Sequence, residues 1–539
     1  MLKKRILQAA AAVALVATAV LIQSREPAQS AGSAFDVMET TIADVHTAYK
    51  AGRLNARQLT QMYLDRIEAY DKQGPKINCV ITINPKALED ADKLDAAFKS
   101  GMVGPLHGIP VILKDQMDVA GLPTTLGSVV LKDNVPLRDS FVADKLKKAG
   151  AIILAKVTLG EMGGGDTYGS LFGETHNPYD LERTAGGSSG GTGAGVSANF
   201  ATIGVGQEGS SSIRRPSTWN SIVGMRPTAG LVSRGGVWSG WPSVVGSLGP
   251  MTRTVADLAK LLDVMVGYDP EDPVTALGVG HVPESYTKFL DKDGLKGARL
   301  GILRESMGQD AEPESEDFKK VTAAFDKAVA ELRAAGAEVI DPVVIPQLKE
   351  LMAGDVPDDG MDGTELYFSR NPNAPFKNGA ELRNSPDYGK VFSRGATTRG
   401  SGGGSGARTR SGNRNSASAR EALLINVMKV MAEHRLDAIV HKSVEHTPTL
   451  IKDGINPPFV NHKGSPRLNT FLIYAASIAV PAGFTPEGLP VGITFFGKAY
   501  SEPTIIKLAY AYEQATKHRV PPKTTPMLPT AMRTSASVR

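Results

Sequence analysis

The stretch Thr184-Ala-Gly-Gly-Ser-Ser-Gly-Gly191 lies in the first half of a chain of 539 residues. A second turn of small residues, Gly209-Ser-Ser-Ser-Ile-Arg-Arg-Pro216, follows it and places Ser212 24 residues after Ser188. Upstream, the apolar run 109–113 ends directly in Lys114. Turns of glycine and serine are common and most are linkers, so neither turn identifies a site by itself. Their combination with a lysine at the end of an apolar run makes the three segments candidates for chemistry.

Lys114 follows Ile112 and Leu113 without an intervening polar residue. A lysine is ordinarily solvated, but this position predicts that the amine is at least partly desolvated. Desolvation disfavours the ammonium form and lowers the pKa of a lysine, which makes the amine a usable base. Lys114 is therefore a candidate general base.

Two familiar glycine motifs overlap the turns. Residues 204–209 match the dinucleotide-binding pattern G-x-G-x-x-G, which requires a following helix and an acidic residue about 20 positions later. Pro216 interrupts that helix, and no Asp or Glu occurs between Glu208 and Asp257. Residues 187–191 match the nucleophile elbow G-x-S-x-G, but the residues before them do not have the pattern of the strand that it needs. We interpret neither match as functional.

Short apolar runs that are typical of buried strands alternate with helical patterns along the chain. The runs span 109–113, 151–154, 299–303 and 438–440. Asn55 and Gln58 have the pattern of a capping box in front of a helical run. This alternation predicts an α/β domain with a central sheet.

The overall charge of the chain is nearly balanced, with 60 Lys and Arg against 56 Asp and Glu and a net charge of +4. This balance gives no reason to expect a nucleic-acid partner or a membrane-surface partner. The one cysteine, Cys79, excludes an internal disulfide and the metal sites that need two or more thiolates. None of the nine histidines forms a metal-binding pattern, so no metal is expected.

The N-terminus has the order of a secretory signal: Lys3, Lys4 and Arg5, an apolar run at 6–22, and then small residues. Residues 1–31 are therefore predicted to be a signal peptide. The mature protein is expected to be periplasmic or secreted, with no stable membrane insertion after cleavage. An N-terminal membrane anchor is the alternative, because about 17 apolar residues lie at the lower limit for crossing a bilayer.

Two further segments are set apart from the predicted domain, one by its composition and one by its position at the end of the chain. Residues 394–420 are mainly small and polar, with six arginines and no acidic residue. This Gly/Ser/Arg-rich segment is predicted to be a mobile loop, because it offers too little apolar surface for burial. A basic docking segment is the alternative. Residues 526–539 are predicted to be a C-terminal tail.

Five segments resemble those of the amidase signature family, from about residue 40 to about residue 522. They are Leu106-His-Gly-Ile-Pro-Val-Ile-Leu-Lys114-Asp, Thr184-Ala-Gly-Gly-Ser188-Ser-Gly-Gly, the turn through Ser212-Ile-Arg214, Gly246-Ser-Leu-Gly-Pro-Met-Thr-Arg-Thr-Val255, and Val480-Pro-Ala-Gly-Phe484 with Gly488-Leu-Pro-Val-Gly492. The resemblance implies a single large α/β domain, at 36–525, in which helices cover a central mixed β-sheet.

The resemblance also implies a catalytic triad of Ser, cis-Ser and Lys that uses no metal and no cofactor. By position, Ser212 would be the nucleophile, Ser188 the bridging serine after a cis peptide bond, and Lys114 the base. A serine hydroxyl is a weak nucleophile without an adjacent base. Neutral Lys114 can take the proton of Ser212 through Ser188 and return it to the leaving amine.

Backbone N–H groups of Gly209, Ser210, Ser211 and Ser212 are expected to form the oxyanion hole. The family usually has glycines at the two positions before the nucleophile, whereas this chain has serines. A Cβ restricts positive φ, so the shape of the hole is expected to differ. Ser212 is preferred as the nucleophile among these serines because of its spacing from the signature serine and the Ile-Arg pair that follows it.

Three neighbours are expected to support the triad without taking part in the chemistry: Ser189, Glu208 and Arg214. Glu208 and Arg214 flank the nucleophile turn and are expected to form an ion pair, buried or half-buried, that fixes its shape. The alternative, two solvated charges, fits less well with a 48-residue stretch that otherwise lacks acidic residues.

All three tryptophans, Trp219, Trp238 and Trp241, lie within 23 residues. Aromatic residues usually belong to the core; the alternative is that they line an apolar wall of the substrate pocket. That alternative hints at an apolar or aromatic amide as the small-molecule substrate.

The leading functional hypothesis is an exported hydrolase that cleaves carboxylic amide bonds through an acyl-Ser212 intermediate. The same acyl chemistry also serves ester and carbamate bonds, which are the first alternative. A glutaminase-type subunit of a tRNA-charging amidotransferase shares the fold, but the signal sequence argues against it. A non-catalytic binding protein is the alternative from a different class.

Overall fold

The apolar runs of the sequence form the central sheet in a computed structural model that describes residues 35–238, 246–353, 363–391 and 410–529. Within these ranges the chain is one large α/β domain, as predicted, with a sheet of 11 strands flanked by helices. The predicted signal peptide at 1–31, Trp241, loop residues 394–409 and tail residues 530–539 lie outside the described residues.

The strands, numbered in chain order, are β1 (Val80–Ile83), β2 (Pro110–Lys114), β3 (Ile152–Val157), β4 (Tyr168–Gly169), β5 (Gly173–Glu174), β6 (His176–Asn177), β7 (Asp180–Thr184), β8 (Ile203–Glu208), β9 (Val223–Arg226), β10 (Ser247–Thr252), β11 (Arg299–Leu303), β12 (Glu338–Val343), β13 (Ala438–Lys442), β14 (Ser477–Phe484) and β15 (Pro490–Phe496).

The α-helices of the described ranges are α1 (Ile42–Lys50), α2 (Ala56–Ile67), α3 (Ala87–Phe98), α4 (Phe141–Lys148), α5 (Gly190–Ser197), α6 (Arg214–Trp219), α7 (Val255–Met265), α8 (Glu316–Ala334), α9 (Leu348–Met352), α10 (Gly363–Ser369), α11 (Gly379–Arg383), α12 (Arg410–Glu433), α13 (Ile451–Ile455), α14 (Leu468–Phe471) and α15 (Glu502–Thr516).

The strand order of the sheet is β1-β3-β2-β8-β10-β9-β14-β15-β13-β11-β12. β2 pairs in parallel with β3 and β8, and β11 pairs in parallel with β12 and β13. The other pairs are antiparallel. The sheet is therefore mixed, as predicted, and the parallel trio β3-β2-β8 carries the ends of two candidate catalytic segments.

The four predicted strands are confirmed as β2, β3, β11 and β13. Every residue of β2, β3 and β13 is buried, as expected for apolar strands covered on both faces. Helices α5, α7, α8 and α15 contact the sheet. The capping box before α2 is also confirmed, because Asn55 and Gln58 each accept a hydrogen bond from the backbone N–H of the other.

Helix α12 corrects part of the predicted mobile loop, since residues 410–420 are helical. Leu423, Val427 and Met431 of the same helix are buried at helical spacing. Packing of that apolar face stabilises the helix. The helix then extends towards its N-terminus through small polar residues that would not form a helix by themselves. No helix in the described ranges is long and apolar enough to cross a membrane.

Candidate active site

Lys114 is the last residue of β2, and its side chain is 0% exposed. Its Nζ donates to Ser188 Oγ at 2.7 Å and to the carbonyl oxygen of Gln207 at 3.2 Å. Among the described residues, no carboxylate oxygen lies within 4.0 Å of this amine. Burial holds the pKa of Lys114 well below the usual 10.5; the Glu208 carboxylate opposes this shift and the Arg215 guanidinium adds to it. The position therefore favours the neutral amine that a general base requires.

The signature turn, residues 184–191, connects β7 to α5 and requires glycine at two positions. Gly186 has a φ of +79°, and a Cβ on Gly187 would lie 2.2 Å from the carbonyl oxygen of Gly165. The Gly187–Ser188 peptide bond is cis, as the resemblance implies. Ser188 is fully buried, and its hydroxyl is the one that Lys114 contacts.

Ser212 lies beside the signature turn, because its carbonyl oxygen accepts a hydrogen bond from the N–H of Ser189 at 3.1 Å. Ser212 is 9% exposed, whereas Lys114 and Ser188 are 0% exposed. Its Oγ makes no hydrogen bond to another described residue. Of the three predicted triad residues, Ser212 is thus the one that an external carbonyl group can reach.

The nucleophile turn leaves several backbone N–H groups without acceptors. Within the described part of the chain, none of the N–H groups at 210–212 donates a hydrogen bond. By contrast, the N–H groups of Ile213 and Arg214 both donate to Glu208 Oε2, at 2.9 and 3.0 Å. None of residues 209–212 has a positive φ, so the two serines that replace glycines fit without backbone strain. The N–H groups of the predicted oxyanion hole at 210–212 remain available, with Gly209 directly before them.

Glu208 and Arg214 form the predicted buried ion pair. Arg214 Nε and Nη2 lie 2.9 and 2.8 Å from Glu208 Oε1, and both side chains are buried. Arg214 Nη2 also donates to the carbonyl oxygen of Ser210 at 2.7 Å. Ser189 Oγ donates to the Gln207 carbonyl at 3.1 Å, which holds the signature turn against β8. These contacts hold both turns in place.

Arg215 and Asp166 form a second buried ion pair, at 3.0 Å, that the sequence interpretation missed. Arg215 Nε and Nη2 also donate to the carbonyl oxygen of Gly187, at 3.0 and 2.8 Å. A signal for this pair exists in the sequence. Two adjacent arginines follow a single nearby acid, Glu208, so the second arginine needs a carboxylate from elsewhere if it is buried.

A cavity of about 910 Å³ lies near the signature turn, and its lining does not include Lys114, Ser188 or Ser212. Its wall includes Gly164 and Gly165, and the N–H of nearby Gly160 donates to the carbonyl oxygen of Ser188 at 2.9 Å. Apolar and aromatic side chains share the rest of the lining with charged ones: Met162, Trp238, Leu382, Tyr388, Val391 and Phe459, and Glu161, Asp310, Glu312, Arg383 and Lys463. This size is within the range of ligand pockets.

The two tryptophans that the structure describes have different surroundings. Trp238 lines the cavity and packs edge-on against Tyr367 and Phe368, with ring centroids 5.4 and 5.7 Å apart. Trp219 is 0% exposed, is not part of the cavity lining, and donates from Nε1 to the carbonyl oxygen of His446 at 3.0 Å. Trp219 is thus a core residue, whereas Trp238 is also buried but lines the cavity.

A scan against protein families matches the model described as Amidase to residues 58–506, which is most of the chain. The chain belongs to the amidase family. This match confirms the predicted family, and known proteins that resemble the chain support it.

Three relatives show how this amidase-family chain compares with known proteins. A probable amidase of Arabidopsis thaliana is 33% identical, over 94% of this chain and 97% of that protein. A glutamyl-tRNA(Gln) amidotransferase subunit of a Cyanothece species is 31% identical, over 88% of this chain and 98% of that protein. The solved structure of native peptide amidase from Stenotrophomonas maltophilia is 32% identical, covers 91% of this chain and 99% of its own, and has a TM-score of 0.76.

Proposed function

We propose that this chain hydrolyses linear carboxylic amides to an acid and an amine through an acyl-Ser212 intermediate. The observation that carries the proposal is the contact of 2.7 Å between Ser188 Oγ and the amine of Lys114, which is buried without a carboxylate within 4.0 Å among the described residues. A buried lysine of this kind is disfavoured as an ammonium and available as a base.

In the acylation step, Ser212 Oγ attacks the amide carbonyl carbon and forms a C–O bond. Its proton passes to Ser188, whose own proton passes to the lone pair of neutral Lys114. The hydrogen bond between Ser188 and Lys114 then has the serine as donor and the amine as acceptor. Collapse of the tetrahedral adduct breaks the C–N bond. The proton returns through Ser188 to the leaving nitrogen, because an amine leaves readily only when it is protonated.

Charge that develops on the carbonyl oxygen is stabilised by the N–H groups of the nucleophile turn at 209–212. Each such donor is worth about 3 kcal/mol of transition-state stabilisation. In the second half of the reaction, water attacks the acyl-serine ester and gives its proton to the same relay. The acid then leaves and Ser212 recovers its proton, so no cofactor takes part.

The cavity favours an amide with an apolar or aromatic portion as the substrate. Trp238 and Phe459 offer apolar contact area, while the charged residues of the lining accommodate polar groups. A cavity of about 910 Å³ holds more than a primary amide of two or three carbons. The solved relative named peptide amidase makes peptide amides a sensible second substrate class to test.

Two other reactions call for direct comparison because the acyl chemistry is shared. Esters and carbamates present the same carbonyl carbon to Ser212. Glutamine is the third comparison, since one relative of 31% identity is named as part of a glutamyl-tRNA(Gln) amidotransferase. Export is also part of the proposal, and it would separate this chain from a cytosolic glutaminase. Cell fractionation would show where the mature protein is found, and N-terminal sequencing of that protein would show whether the signal peptide has been removed.

The test is incubation of the purified protein with a panel of aryl amides, peptide amides, glutamine, esters and carbamates. Mass spectrometry of the protein then locates any trapped acyl group. We expect the highest kcat/KM on an amide and an acyl group on Ser212. Ser212→Ala should abolish both turnover and labelling, whereas Ser210→Ala and Ser211→Ala keep the backbone N–H groups and should still be labelled at Ser212. Full turnover by Ser212→Ala, or an acyl group on a different serine, would contradict the proposal.

A further inference from the structure

We propose that Arg215 is a positioning residue for the amide hydrolysis proposed above. It ties the turn that carries Ser188 to the wall of the substrate cavity, so that the bridging hydroxyl stays aligned with Lys114. This inference rests on the proposed function and deepens it, because it assigns one anchor to both the relay and the substrate-binding wall.

Arg215 is fully buried, and its guanidinium group contacts three segments that are distant in the sequence. Nε and Nη2 donate to the carbonyl oxygen of Gly187, the residue before the bridging serine. Nη2 also donates to the carbonyl oxygen of Gly165 at 3.2 Å and pairs with Asp166. Nη1 donates to Ser465 Oγ at 3.1 Å. The planar fork of arginine makes all of these contacts at once, which a lysine amine cannot do.

The partners of Arg215 include the cavity wall itself. Gly165 lines the cavity, and the N–H of Asp166 donates at 2.7 Å to Asn461 Oδ1, another lining residue. The same guanidinium holds Gly187, which directly precedes the serine of the relay. Arg215 therefore holds both the cavity wall that a substrate would contact and the turn that carries Ser188, the serine that would transfer the proton of Ser212.

Arg215 also acts on the relay through its charge. The charged groups that face Lys114 are Glu208 on β8 and Arg215 on α6, and the Lys156–Asp115 ion pair lies on the strand and turn beside it. Burial lowers the pKa of Lys114 most; Glu208 opposes this shift, and Arg215 adds to it. A cation beside a buried amine disfavours a second positive charge, so Arg215 helps to keep the base neutral.

The test compares Arg215→Met with Arg215→Lys, using the substrate on which the wild type is most active. Rates are normalised to the concentration of folded protein, measured by circular dichroism, which corrects for unfolded protein and does not depend on the reactivity of Ser212. Arg215→Met removes both the planar set of guanidinium N–H donors and the positive charge. We expect kcat to fall roughly tenfold to a hundredfold and the acidic limb of kcat/KM to move upward by roughly one pH unit. Arg215→Lys keeps a charge and loses the fork, so kcat should fall while the limb stays in place.

Arg66→Met is the matched control, because Arg66 is also buried and donates to four backbone carbonyls, of residues 198, 199, 525 and 526. It should lower the melting temperature without moving the acidic limb. Wild-type kcat per folded molecule and an unmoved limb in both Arg215 variants would overturn the inference. If Arg215→Met does not fold, Arg215→Lys alone decides, since a wild-type kcat there is enough to reject it. Failure of the proposed function is separate and shows as turnover by Ser212→Ala.

Discussion

Two lysines on neighbouring strands, Lys114 on β2 and Lys156 on β3, are both buried but have different hydrogen-bond and ion-pair partners. Both side chains are 0% exposed. Lys156 Nζ lies 2.8 Å from a carboxylate oxygen of Asp115 and also donates to Thr124 Oγ1 at 3.0 Å. Lys114 instead contacts a serine hydroxyl and a backbone carbonyl. The two lysines therefore differ in the partner that burial gives them: Lys156 has a carboxylate, and Lys114, the proposed base, has only uncharged oxygens.

The largest expected effect separates the two lysines by activity. Lys114→Met removes the proposed base, so kcat/KM on the best amide should fall roughly 10²- to 10⁴-fold at neutral pH. Lys156→Met should keep kcat/KM per folded molecule within about tenfold, which is about 1.4 kcal/mol. Steady-state kinetics, with the concentration of folded protein measured by circular dichroism, compares both variants. Equal losses in the two variants would mean that the comparison does not distinguish a base from a structural cation.

The second effect concerns stability, and here Lys156 is the lysine whose loss should matter. Lys156→Met leaves Asp115 as a buried carboxylate without its ion-pair partner. The free energy of unfolding should fall by about 3–5 kcal/mol. Urea denaturation followed by circular dichroism measures the change.

The control for this prediction is the double variant Lys156→Met/Asp115→Asn, which removes both charges. It should recover at least half of the loss, because the unpaired charge causes most of it. A double variant that is no more stable than Lys156→Met would show that packing, and not charge pairing, determines the effect.

A third effect, smaller for each pH unit, is the pH dependence of stability at Lys114. The pKa of Lys114 is lowered in the folded state, so below 10.5 the unfolded chain binds a proton that the folded chain does not. Stability of the wild type should therefore fall as the pH decreases from 10.5 towards the folded pKa, by up to about 1.4 kcal/mol for each pH unit. Lys114→Met has no amine at this position and should lack this pH dependence.

Urea denaturation of the wild type and Lys114→Met at several pH values between 7 and 10.5 measures that difference. The variant should gain stability relative to the wild type as the pH falls. A difference that stays constant over this range would indicate that the amine is protonated in the folded protein.

The smallest effect concerns the serines of the nucleophile turn. Because residues 210 and 211 do not have positive φ, glycine should bring no conformational benefit there. Ser210→Gly and Ser211→Gly should each change kcat/KM by less than about threefold, a difference below 1 kcal/mol. Each should lower the free energy of unfolding by about 0.5–1 kcal/mol through chain entropy. A tenfold gain in kcat/KM on the best amide would show that the serines distort the oxyanion hole.

The sequence predicts those features that depend on local pattern. The apolar run before Lys114 predicted both a buried strand and a desolvated amine, and the acid-free stretch around Glu208 and Arg214 predicted their buried pair. The prediction of a loop at residues 410–420 was wrong, because the buried apolar face further along the same helix stabilises helical structure in residues whose own composition favours a loop.

Features that depend on distant segments could not be predicted in this way. Arg215 meets Asp166 and Ser465, which lie 49 residues before it and 250 residues after it. The cavity likewise combines Trp238 with residues near 310, 380 and 460, and no periodicity of the sequence connects these positions. The order of the 11 strands has the same origin, since neighbours in the sheet are often far apart in the chain.

The most direct test of the central claim is the titration of the Lys114 amine itself. Protein labelled with ¹³C at lysine Cε is followed by NMR as the pH is raised, and the Lys114 signal is identified by its absence in Lys114→Met. We expect a midpoint well below 10.5, because the amine is buried without a carboxylate partner among the described residues. A Lys114 signal that titrates at or above 10.5 would contradict it.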